Sequence, residues 1–114
     1  RDTGDKIIVS REEMLITTEK LLKEMQKALF DKAKVFLIEN TRDAHTYDQF
    51  KEIMNTTRGF IRAFWCEEAS CEAMIKTETK ASTRCLPLDT TEEKGTCIHC
   101  DKPSTHRWLF AQSY

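Results

Sequence analysis

Four of the five cysteines stand in two close pairs. Cys66 and Cys71 are spaced C-x4-C, and Cys97 and Cys100 are spaced C-x2-C. Two tight pairs far apart in sequence are the usual signature of a four-thiolate zinc site, because zinc takes four soft ligands in a tetrahedron and short loops deliver them two at a time. This constrains the fold strongly: whatever lies between Cys71 and Cys97 must begin and end at one point. Three other readings compete. A redox C-x-x-C belongs at a helix N-terminus after a strand, whereas Cys97 follows a charged loop and is soon followed by Lys102 and Pro103. Two disulfides need an oxidising compartment. Unpaired buried cysteines are the plainest alternative. Cys85 stands alone between Arg84 and Leu86 and reads as a small core residue. His99 and His106 are minor options for a missing ligand; His99 lies inside the turn between Cys97 and Cys100, where a side chain normally points outward.

The Cys97-Ile98-His99-Cys100 segment has the form of a zinc knuckle, in which the backbone folds back so that both sulfurs face one spot and amide hydrogens donate to them. A knuckle often has glycine after its second cysteine, to take a positive φ. Here the residue is Asp101, which tolerates that conformation less easily than glycine but better than most.

A chain of 114 residues suits one domain, or a small domain with a flanking segment, and can use a metal staple. The formal net charge of -1 lacks the basic excess of nucleic-acid binders. Glu67, Glu68, Glu72, Glu92 and Glu93 crowd the cysteines and weigh against the alternative function, a zinc-ribbon-like binding module for nucleic acid or protein. No apolar run is long enough to span a membrane, and no membrane role is expected. The odd cysteine count points to a reducing, cytoplasmic setting. The start at Arg1 and the end on Tyr114 suggest the C-terminal fragment of a longer protein.

Periodicity predicts a short strand over 6–9, after a polar opening, with residues 1–9 as linker and first strand. Ser10 and Glu13 form a capping-box pattern ahead of a long helix over about 11–40, with Leu15, Leu22, Met25, Leu29, Ala33 and Phe36 as its apolar stripe. Residues 41–46 break the pattern. A short helix is expected over 47–55, a strand over 60–65, a helix over 71–79 with Ser70 as N-cap, a strand over 82–88 and a last, well-buried strand over 106–114. The order predicts an α/β (α+β) fold: a two-layer sandwich with helices against one face of a small mixed sheet.

Several stretches carry a family resemblance: Phe64-Trp65-Cys66, Cys71-Glu72, Ile75-Lys76, Thr83 to Pro87, Gly95 to Cys100 and the ending Leu109 to Tyr114. They resemble the C-terminal zinc-binding domain of prolyl-tRNA synthetases of the archaeal and eukaryotic type. The opening Arg1 to Lys6 is similar to that family's junction after the anticodon-binding domain. The resemblance covers nearly the whole chain and is most specific from Phe60 onward. It implies zinc on Cys66, Cys71, Cys97 and Cys100, in a sandwich like the C-terminal domain of bacterial translation initiation factor three. It implies a C-terminal domain over 10–114 that braces the catalytic domain. It also implies that the carboxylate of Tyr114 points into that domain. The parent implied is a homodimeric ligase that charges tRNA with proline through a prolyl-adenylate. Its ATP and tRNA sites lie in upstream domains, since no phosphate-cradling loop or other catalytic motif occurs in these residues. The chain departs from the family at Glu67 and Asp101, where glycine is common.

Overall fold

The computed structural model describes residues 3–113. The chain divides into two compact units, Arg1–Ile38 and Glu39–Tyr114.

The first unit is mostly one helix. Residues 5–10 have no regular structure, so the strand expected over 6–9 is absent. No described strand pairs with its β-branched residues, and an isolated strand is not stable. The Ser10–Glu13 pair forms one arm of the expected capping box: the Glu13 amide donates to Ser10 Oγ at 3.3 Å, while Glu13 Oε2 accepts from the Ser10 hydroxyl at 2.8 Å. Helix α1 then runs over Met14–Glu39, 26 residues without glycine or proline. Lys20–Glu24 and Lys27–Asp31 pair across single turns at 3.8 and 2.6 Å. Both are exposed, so each contributes only a few tenths of a kcal/mol, as is usual for i,i+4 pairs. The expected stripe is present but no residue of α1 is buried; Leu15, Leu22, Leu29 and Phe36 are all exposed.

The second unit is α+β. Strand β1 (Thr41–Asp43) leads through helix α2 (Tyr47–Asn55) to β2 (Phe60–Phe64); helix α3 (Ala69–Thr79), β3 (Ala81–Cys85), the two-residue strands β4 (Gly95–Thr96) and β5 (Pro103–Ser104), and β6 (Arg107–Gln112) follow. The main sheet has the order β1-β2-β6-β3. β1 and β2 are parallel, while β6 runs antiparallel to both β2 and β3. β4 and β5 make a separate antiparallel pair. The sheet is mixed, as expected, but β1 falls where a break in pattern was read. Thr-Arg-Asp carries no apolar alternation. It is a strand because it pairs with β2, and Arg62 grips Asp43 across the pair with two hydrogen bonds of 2.8 Å.

The core lies between α2 and α3 and one face of this sheet. Phe50 and Met54, one turn apart on α2, join Ile75 of α3, Ile61 and Ala63 of β2, Ala81 of β3 and Phe110 of β6. Phe50 meets Phe110 edge-on at 5.3 Å. Each large side chain removed from water here stabilises the fold by roughly 1.5–3 kcal/mol. β6 is the second central strand, yet only Phe110 on it is fully buried; its other residues are half-covered. The expectation of a well-buried last strand is corrected to one fully buried residue, Phe110, with the rest of the strand half-covered. Gln112 fastens the strand to both helix ends: its side-chain amide donates to the carbonyls of Met54 (3.1 Å) and Thr79 (2.8 Å).

Helix α3 begins earlier than read. Glu68, not Ser70, is its N-cap residue, and it makes no side-chain cap bond. The helix ends on Lys80 in the left-handed region at φ 60°, with its amide on the Lys76 carbonyl. The turn between α2 and β2 needs glycine in earnest. Gly59 has φ +91°, and a Cβ there would lie 2.4 Å from the Asn40 carbonyl oxygen, a backbone atom that already accepts the Phe60 amide. Gly59→Ala is therefore expected to lower stability by about 1–3 kcal/mol through overpacking and backbone strain. Urea unfolding of the variant beside wild type measures this; an unchanged midpoint would contradict the tight turn.

Candidate metal centre

Two short segments deliver the cysteines. β2 ends at Phe64, and the chain turns so that Cys66 follows directly and Cys71 falls in the first turn of α3. The N-terminal end of a helix favours negative charge, so a thiolate is well placed there. The second pair sits in the turn between β4 and β5. That turn is held by the Cys97 amide on the Lys102 carbonyl (2.8 Å) and the Asp101 amide on the Cys97 carbonyl (3.1 Å). The Ile98 amide donates to the Phe64 carbonyl at 2.8 Å, fixing the turn against the end of β2. Lys102 spans the two segments from outside, with its ammonium 2.6 and 2.7 Å from the oxygens of Glu68.

The four sulfurs converge. Cys71 and Cys97 are 3.6 Å apart, Cys66 and Cys100 are 3.5 Å apart, and all four atoms lie within 4.8 Å of one another. A disulfide needs about 2.05 Å, and all five cysteines are free. This is a set able to hold one metal ion. Cys71 and Cys97 are buried, at 6% and 1% exposure, and Cys66 and Cys100 are half-buried. Burial pushes the Cys71 thiol well up, and neighbouring Cys97 adds to it. Burial likewise raises Cys66, opposed in part by the backbone at Glu68. Cys97 is the exception: burial works against its ionisation, but the amides of His99, Cys100 and Cys66 outweigh it and bring it down to about 7. Cys97 thus ionises more readily than Cys66 and Cys71, and a cation is what allows those two to follow.

The residues after the first and last cysteine both adopt the left-handed conformation: Glu67 at φ 61° and Asp101 at φ 57°. These are the two positions where glycine was expected. The loops keep the conformation glycine would favour, at a cost of about 1–2 kcal/mol for each side chain.

Cys85 is not in the cluster. It lies exposed on β3, next to a break in register between Thr83 and Cys85, so it is not the core residue that its sequence setting suggested. β3 is an edge strand, and the bulge turns the cysteine outward. His106 is also outside; its Nδ1 lies 3.0 Å from Thr105 Oγ1. His99 sits against the cluster, with Nδ1 3.4 Å from Cys71 Sγ. Sequence reading placed this side chain outward, and its position inside the knuckle was the only signal that it belongs here. The glutamates are engaged as well. Glu68 holds Lys102, and Glu72 accepts from the Thr83 amide at 2.9 Å and from the Thr83 hydroxyl, stitching α3 to the bulge.

Comparison with known proteins agrees with this layout. Residues 47–114 match the family described as "Prolyl-tRNA synthetase, C-terminal". The chain belongs to that family. The prolyl-tRNA synthetase match covers all of the second unit from α2 onward, cysteine pairs included. Over its full length the chain is 45% identical to the proline–tRNA ligase of Cytophaga hutchinsonii, 39% to that of Agathobacter rectalis and 40% to that of Flavobacterium johnsoniae. It spans 23%, 24% and 23% of those proteins respectively, so it corresponds to about a quarter of a synthetase chain.

Metal analysis of single-cysteine variants tests the cluster. Cys97→Ser is expected to abolish stoichiometric metal binding and to destabilise the domain, and Cys85→Ser to leave metal content unchanged; loss of metal from Cys85→Ser alone would overturn the grouping. Acid gives a second check. Cys66 and Cys71 hold their protons at neutral pH, so binding a cation must expel them, and affinity falls as pH falls. The fall should steepen below about pH 7, where Cys97 also takes up a proton. Competition with a chromogenic chelator between about pH 8 and 6 measures it, and a flat affinity would exclude thiolate ligation.

Proposed function

We propose that this chain is the zinc-bound C-terminal domain of a prolyl-tRNA synthetase of the archaeal and eukaryotic type, with a structural role. The observation that carries the reading is the convergence of four free cysteine sulfurs in a member of this family. Zinc suits them on two grounds. Four sulfurs at the usual zinc–sulfur length of about 2.3 Å stand roughly 3.8 Å apart in a regular tetrahedron, close to the 3.5 and 3.6 Å separations found. A four-cysteine site with no open position is also the pattern of structural rather than catalytic zinc. When bound, zinc supplies cross-linking. It ties the end of β2, the start of α3 and the β4–β5 turn to one point, worth on the order of 10 kcal/mol in small zinc domains.

The parent is read as a cytoplasmic, homodimeric ligase that joins proline to tRNA through a prolyl-adenylate made from ATP. In that chain residues 1–9 link an upstream anticodon-binding domain to the C-terminal domain, 10–114, which braces the catalytic domain. ATP is bound upstream, and tRNA affinity in this part is small for want of positive charge. A likeness of the sandwich to the C-terminal domain of initiation factor three is part of the same proposal.

Tyr114 lies outside the described residues. Its proposed role, a terminal carboxylate docked on the catalytic domain, rests on the family resemblance together with β6, which carries ordered chain as far as Gln112. Zinc content of the purified full-length protein tests the zinc reading: about one per chain is expected, and none would refute it. A tag added after Tyr114 tests the docking. It displaces the carboxylate while keeping the ring, and should lower proline activation sharply in a folded enzyme. Tyr114→Phe keeps both carboxylate and ring and should cost little. Full activity in the tagged enzyme would leave Tyr114 as a cover for the core only.

A further inference from the structure

The cysteine cluster has a polar bracket on one side that metal ligation alone does not explain. His99 Nδ1 faces Cys71 Sγ at 3.4 Å. Two residues from different helices stand beside the imidazole. Tyr47, the first residue of α2, meets its ring edge-on at a centroid distance of 5.0 Å. Glu78 of α3 places Oε1 3.9 Å from Nε2, and its other oxygen accepts the Tyr47 hydroxyl at 3.0 Å. Cys71 and Glu78 lie two turns apart on one helix, so sulfur and carboxylate face the same side. The His99 side chain is only 20% exposed.

We infer that His99 is a positioning residue for the zinc proposed above, donating from Nδ1 to the Cys71 thiolate, with Tyr47 packed edge-on against the ring and Glu78 holding Tyr47 in place through its hydroxyl. The inference rests on that zinc reading. A ligating thiolate has only lone pairs to offer, so Nδ1 carries the hydrogen in this contact. Four thiolates around a divalent cation leave excess negative charge in a site where Cys71 and Cys97 are buried. An N–H donor at sulfur spreads that charge and slows departure of the ligand. His99 is not itself a ligand, since the four sulfurs already complete a tetrahedron. Outer partners of this kind typically change metal affinity by about 10–100-fold.

The test uses the full-length protein loaded with zinc, and separately with cobalt. His99→Phe keeps a ring against Tyr47 and removes the donor. It should release zinc to excess chelator at least about 10-fold faster, and should move the thiolate-to-cobalt charge-transfer band to lower energy. His99→Asn restores a donor near the Nδ1 position and should return both readouts toward wild type. Release at the wild-type rate with an unmoved band in folded His99→Phe would overturn the inference and leave His99 as packing. Complete loss of metal from His99→Phe while Cys71→Ser keeps it would also overturn it, making His99 the ligand. If His99→Phe does not fold, Glu78→Ala, which removes the acceptor that holds Tyr47 against the ring and leaves ring and sulfur, is read instead: faster release supports the bracket and an unchanged rate rejects it. Absence of any thiolate-to-cobalt band in wild type would be a different result, the failure of the zinc reading itself.

Discussion

The second unit depends on bringing two cysteine pairs to one place and burying half of the sulfurs there. The hydrogen bond from the Ile98 amide to the Phe64 carbonyl is the hinge of that arrangement. It sets the β4–β5 turn against the end of β2, and β2 is the strand through which the sheet communicates with the cluster. Without a cation the four thiols are a poor core. They repel as thiolates, and as thiols they bury weakly polar groups with few partners. Cys97, surrounded by amides, and Cys71, buried beside it, divide the cost unequally. A metal would resolve the conflict by letting every sulfur ionise.

Local strain is consistent with this dependence. Glu67 and Asp101 hold the left-handed conformation on either side of the cluster without the freedom of glycine. Neither residue gains from that backbone on its own. Each conformation turns the chain so that the preceding sulfur faces inward, and the Glu68–Lys102 pair then holds the two loops together from solvent. Being exposed, that pair orients the loops more than it stabilises them.

The two helices of the second unit reach their places by different means. α2 is capped by Thr46, whose hydroxyl accepts the Gln49 amide at 3.2 Å, and it buries Phe50 and Met54. α3 has no side-chain cap. It is held through Cys71, through Ile75 in the core and through Glu72 at the β3 bulge. α1 differs from both. Its Ser10–Glu13 pairing, its composition and its i,i+4 pairs suffice for helix, yet none of its residues is buried. Periodicity reports helix formation there, and says nothing about burial.

From residues alone it was possible to say which four thiols belong together, to place α2, β2, α3 and β6 within a few residues, and to recognise the family. Those signals are local: cysteine spacing, capping residues, apolar period. The sequence also suggested a strand over 6–9, a helix start near Ser70, a buried Cys85 and an outward His99, and all four differ in the structure. β1 went unseen. Apart from the helix start, each of these turns on a neighbour distant in the chain. Thr41–Asp43 is a strand because β2 lies alongside it. Residues 6–9 are not one, since no described strand pairs with them. Cys85 faces outward because β3 slips register against β6. His99 faces inward because Tyr47 and Glu78, from two other elements, leave it a slot beside Cys71. Strand pairing and side-chain partners are non-local, and only the assembled tertiary structure decides them.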